Sequence, residues 1–114
     1  MVQKSIEAGQ QISANDNIIE IIDIRTLNPI DYDTIEDSIS KTGKVLVVYE
    51  DNLTNGPGAE LCSVIADKYF EYLDGPVKRV ASKDSPVPYN WFLEDDVLVQ
   101  VKDISNGIKE LLEY

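Results

Sequence analysis

Apolar positions along the chain recur at two spacings, and the two spacings alternate. In "MVQKSIEAGQQIS" (1–13), Val2, Ile6, Gly9 and Ile12 fall near one face of a helix, with Lys4, Glu7 and Gln11 elsewhere. "IIEIIDI" (18–24) is β-branched and almost continuously apolar, the pattern of a strand covered on both faces. "TLNPIDYD" then turns, and Asp31 is placed to cap a helix over 32–41 that turns Ile35 and Ile39 inward. Gly43 closes that helix. "KVLVVYE" (44–50) reads as a second buried strand. The stretch 58–73 reads as an amphipathic helix with Cys62, Ile65, Ala66, Tyr69 and Leu73 on one stripe. "VKRVA" (77–81) is a short third strand, 82–96 an irregular arm with two prolines, and 102–113 a closing helix carrying Ile104, Ile108, Leu111 and Leu112.

This alternation predicts an α/β fold: three layers, α/β/α, with right-handed crossovers onto a mostly parallel sheet. At 114 residues the chain supports one domain, 1–114, and shows no repeat or linker. Opening on a helix, and placing four helices on three strands, are features expected of a piece of something larger.

Charge narrows the partners. Ten basic residues against 21 acidic ones give a net charge of −11, a field that repels nucleic acid and anionic lipid. It attracts a basic protein, or serves solubility alone. No run approaches the ~20 apolar residues that span a bilayer, and the N-terminus has no signal-peptide pattern, so the expected location is cytoplasmic. The single cysteine, Cys62, lies in a helical stripe and reads as a buried, inert thiol. The chain has no histidine, which excludes every imidazole-dependent triad.

Three stretches carry candidate chemistry. "NGPGAE" (55–60) follows a strand and opens a helix, where many proteins hold phosphate. Yet Glu50, Asp51 and Glu60 flank it, no Lys-Ser/Thr follows, and Pro57 suits a first helical turn, so the turn reads as architecture. "DYD" (31–33) and "EDD" (94–96) lack the glycine and distal glutamate of a calcium loop and read as caps and solvated turns. In "SPVPYNWF" (85–92), Pro86 and Pro88 stiffen a segment bearing Tyr89, Trp91 and Phe92, which suits either an interface or a wrap around the domain's own core.

"IEIIDIRTLNPIDYDTI" (19–35), "GKVLVVYED" (43–51), "GAELCSVIADKYFEYLDGPVKRV" (58–80), "DSPVPY" (84–89) and "VKDISNGIKELLEY" (101–114) occur in a family order. Together they resemble the C-terminal domain of the beta subunit of thiamine-diphosphate-dependent 2-oxoacid dehydrogenases, with transketolase and deoxyxylulose-phosphate synthase as more distant relatives. The resemblance implies a missing strand before 1–13, lying between the strands at 18–24 and 44–50, and a cofactor-binding domain upstream. A chain without that strand is expected to close the gap, borrow a neighbour's strand, or be marginally stable. The resemblance also implies that thiamine diphosphate and its divalent metal are held between other domains of the parent enzyme, so no catalytic, cofactor or metal residue is assigned here. Two positions depart from the family pattern: Tyr49, where His is frequent, and "LTNGPGAE", where the family has "LTGGFGAE".

What the resemblance leaves to this domain is assembly. It implies pairing of beta subunits into a homo-oligomer and contact with the basic subunit-binding domain of the lipoyl acyltransferase. The residues carried over for that contact are Asp74, in "YLDGP", and Tyr114, through its terminal carboxylate. Two other readings differ in class. A transketolase-like or deoxyxylulose-phosphate synthase-like enzyme would gather Arg25, Arg79 and Lys83 beside a cleft. A free-standing α/β interaction module would place a flavin loop or acidic pocket at the strand ends.

Overall fold

The computed structural model describes residues 1–12 and 19–114. Its centre is a pair of parallel strands, β1 (Leu46–Asn52) and β2 (Lys78–Ser82). They run in register Leu46 to Lys78, Val47 to Arg79 and Val48 to Val80, then slip before Asn52 meets Ser82. The Ser82 hydroxyl donates to the Glu50 carbonyl across the slip, 2.5 Å.

Strand alternation sends Val47 to one face and Leu46 and Val48 to the other. Helices α2 (Tyr32–Thr42) and α3 (Pro57–Lys68) cover the first face, where Ile35, Ile39, Leu61, Ile65 and Tyr69 pack with Val47. Helices α1 (Val2–Ile12) and α5 (Val101–Leu112) cover the second, where Ala8, Val99 and Ile104 pack with Leu46, Val48 and Val80. The three-layer α/β architecture expected from the alternation is present.

The helix ends follow local chemistry. The Asp31 carboxylate accepts from the Thr34 N–H at 3.1 Å and opens α2, and Gly43, left-handed at φ 66°, closes it by donating to the Ile39 carbonyl. Gly56 caps α3 in extended conformation, with Pro57 at the first helical position.

Four expectations are corrected. Residues 19–24 form no strand, and the rest of that run lies outside the described residues; among the described residues the sheet has two strands, not three. A strand needs a ladder partner, and a cleft separates this segment from β1. The helix expected over 58–73 ends at Lys68; a 3-10 turn, Phe70–Tyr72, follows and brings the Asp74 N–H to the Gly43 carbonyl at 2.7 Å. Its buried stripe includes Leu61, while Ala66 is exposed and Cys62 only half-buried. Finally, the arm contains a helix, α4 (Trp91–Val97), capped by the Asn90 side chain accepting from the Phe92 N–H at 3.0 Å.

Candidate functional site

The glycine turn is built around a tyrosine ring. Tyr49, near the middle of β1, lies directly beneath Gly56 and Gly58, and a Cβ on either glycine would collide with its ring. Arg79 donates to the Tyr49 hydroxyl at 3.3 Å and to the Leu53 carbonyl at 2.8 Å. Asp84 holds the same loop from outside, accepting from the Thr54 N–H at 2.8 Å and from the Thr54 hydroxyl at 2.5 Å. These hydrogen bonds hold the Asp84 carboxyl below its ordinary value. The two glycines therefore answer a packing demand, and the site's nearest cation is already engaged.

Asp74 and Tyr114 lie near one corner, linked through Gly75. Asp74 is exposed, follows the 3-10 turn, and rests its carboxylate over Gly43 in the space a Cβ would occupy. The next residue, Gly75, backs onto Tyr114: a Cβ there would stand 3.5 Å from the Tyr114 Cβ. Tyr114 is 68% exposed, with the Lys78 ammonium 5.6 Å from its ring centre. Lys78 is itself bound by Glu110 at 2.6 Å, a hydrogen bond that raises its pKa. Glu113 is exposed next to Tyr114. The corner thus presents carboxylates with one lysine already paired, an arrangement suited to receiving external cations. Pattern reading found Gly43 as a cap and did not find it as the seat of Asp74; its tolerance of a carboxylate overhead is a tertiary fact.

A second feature is the cleft between β1 and the irregular segment 19–25, about 690 Å³ in volume. Ile19, Ile22 and Ile24 line one wall, Leu46 and Val48 the other, and Met1 and Val2 its end. Among the described residues β1 pairs only with β2, so the edge of β1 opposite β2 is open. Among the described residues nothing closes the gap.

The remaining candidates separate. Arg25 pairs with Asp23 at 3.6 Å, Arg79 is held in the tyrosine loop, and Lys83 pairs with Asp96 at 2.8 Å, so each cation has its own partner and they form no cluster. Burial pushes the Cys62 thiol above its ordinary pKa, with Arg79 opposing, which fits an unreactive thiol. Among the described residues no group of three or more carboxylates or thiols could hold a metal ion. No helix of the described residues is long and apolar enough to cross a membrane. Tyr89, Trp91 and Phe92 all point into solvent, which settles the arm's alternative against wrapping its own core.

Comparison with known proteins agrees with this architecture. Residues 1–104 match the family model described as transketolase, C-terminal domain. Among curated proteins the chain is 36% identical over 110 residues to the pyruvate dehydrogenase E1 component subunit beta of Rickettsia bellii, covering 96% of this chain and 34% of that protein. It is 40% identical over 109 residues to the same subunit of Cyanidium caldarium, covering 96% of this chain and 33% of that protein. A mitochondrial counterpart from Dictyostelium discoideum is 34% identical over 113 residues, 99% of this chain and 32% of that protein. The chain therefore spans about a third of the length of the relatives it matches. It belongs to the transketolase C-terminal domain family and is homologous to part of the beta subunits of pyruvate dehydrogenase E1.

Proposed function

We propose that this chain is the assembly and docking domain of a thiamine-diphosphate-dependent 2-oxoacid dehydrogenase. The parent reaction is oxidative decarboxylation of a 2-oxoacid with transfer of the acyl group to a lipoyl arm. Thiamine diphosphate and its metal are held by other domains, and this chain contributes to pairing of beta subunits and to capture of the acyltransferase's basic subunit-binding domain. The observation that carries the reading is the corner where Gly75, next to Asp74, backs onto Tyr114, with Glu110 paired to Lys78 and Glu113 exposed nearby. Charge-assisted contacts there to Arg or Lys contribute about 1.5–3 kcal/mol each where they are well shielded, and much less at an exposed rim. The same reading supplies an occupant for the cleft: a strand from the segment preceding α1, laid between β1 and residues 19–24. Two parallel neighbours at the usual ~4.8 Å spacing would then hydrogen-bond both sides of it.

The docking claim is tested by surface-immobilising the acyltransferase's subunit-binding domain and passing over it the chain, Asp74→Asn, and a variant extended by several neutral residues beyond Tyr114. Both variants are expected to bind more weakly at low salt. Unchanged affinity in both overturns the assignment.

A further inference from the structure

The arm at 84–97 carries an exposed surface that nothing in the docking corner explains. Tyr89 is fully exposed, and Trp91, Phe92, Leu93 and Val87 are each more than half exposed. Trp91 and Phe92 are stacked, their ring centres 3.6 Å apart and their planes at 25°. Pro86 and Pro88 fix the approach to them, and the Asn90 cap fixes the start of α4, so these rings are held outward by a defined backbone. Large apolar side chains gathered on a stiff segment mark an interaction surface rather than scattered exposure.

The charges around the rings specify the occupant. On α4, positions three and four residues apart are neighbours, so Glu94 and Asp95 stand beside Trp91, and Asp95 and Asp96 beside Phe92. Asp96 is occupied by Lys83, whereas Glu94 and Asp95 have no cationic partner among the described residues. An aromatic face with a carboxylate one turn away is a receptor for a guanidinium or ammonium, which the ring attracts through its face and the carboxylate by charge. A second copy docked face to face here would bring Glu94 and Asp95 of the two arms against each other, which makes it a poor occupant of this surface. We infer that the Trp91–Phe92 face of the arm is a binding surface for a non-identical protein segment presenting arginine or lysine next to apolar side chains, separate from the Asp74–Tyr114 corner.

Trp91 is the only tryptophan in the chain, so its emission reports this surface directly. The probe is a capped nonapeptide of alternating leucine and arginine, compared with counterparts carrying citrulline or glutamate in place of arginine. The arginine peptide is expected to give a saturable blue shift, with at least tenfold weaker binding for Phe92→Ser and for Asp95→Asn. Asp74→Asn is expected to leave the titration unchanged, which separates this surface from the docking corner. Asp95→Asn alters only an exposed side chain, so its loss of binding cannot be ascribed to unfolding. The inference is overturned by an absent Trp91 response, by an equal response to the citrulline or glutamate peptide, or by a loss that follows Asp74→Asn instead. It is equally overturned by a blue shift that appears when the chain alone is concentrated, which would make a second copy the occupant.

Discussion

Tyr49, Gly56 and Gly58 act as one unit: the ring fills the space that two side chains would otherwise need. Gly58→Ala should therefore cost about 1–3 kcal/mol in urea denaturation, the usual penalty for forcing a methyl into a packed site. In a Tyr49→Ala background the same substitution should cost measurably less, and equal costs in both backgrounds would show that the ring is not the obstacle. Two exposed carboxylates act on the fold through acid. Hydrogen bonds from Thr34 hold Asp31, and those from Thr54 hold Asp84, below their ordinary pKa values. A carboxyl lowered in the folded state contributes stability that is present above its unfolded value, about pH 4, and is lost as pH falls through the folded value. Melting temperature should thus drop more steeply on acidification below pH 4 in the parent than in the Asp31→Asn/Asp84→Asn double variant. Parallel acid limbs would contradict that.

Helix α2 shows how an element's end can serve a site. Gly43 is left-handed and lies under the Asp74 carboxylate, so Gly43→Ala meets two obstacles at once. Its backbone term alone is about 1–2 kcal/mol, and relief of the collision displaces Asp74. The expected result is a lower urea midpoint together with weaker capture of the subunit-binding domain; destabilisation with full affinity would mean that Asp74 does not need this seat. Much at this scale was legible in the sequence. Asp31, Gly43 and Pro57 declare the boundaries of α2 and α3 because caps are local chemistry. The valine-rich runs at 44–50 and 77–81 became β1 and β2 within two residues. Residues 19–24 misled because an apolar β-branched run reports a preference for burial and says nothing of whether a ladder partner stands alongside. Helix α1 stands where its periodicity placed it, Val2–Ile12, but its buried residues are Ala8 and Gly9, and Ile6, expected on the same face as Gly9, is 36% exposed. Its neighbour is α5, and Lys4 bonds across to the Val99 carbonyl at 2.7 Å, so close approach selected small residues over large ones. The Asp74–Tyr114 corner joins residues forty positions apart, and no pattern along the chain announces it.

At the scale of the whole molecule, the described residues form a two-stranded sheet packed on both faces and open along one edge beside an apolar cleft. If a preceding strand fills that cleft, lengthening the chain upstream of Met1 with the parent's own residues should raise the melting temperature by about 4–8 °C for each kcal/mol gained. It should also slow hydrogen exchange at the β1 amides facing the cleft; an unchanged melting temperature and exchange pattern would leave the cleft without that occupant. The claim on which the rest depends is that the chain's acidic corner docks a basic partner domain. The direct measurement is calorimetric titration of the chain with the acyltransferase's subunit-binding domain at 50 and 300 mM salt, since exposed charge pairs weaken as the ~10 Å screening length at 0.1 M shortens. The account predicts saturable binding that weakens at least tenfold at the higher salt. Absence of heat at 50 mM, or binding indifferent to salt, would contradict it.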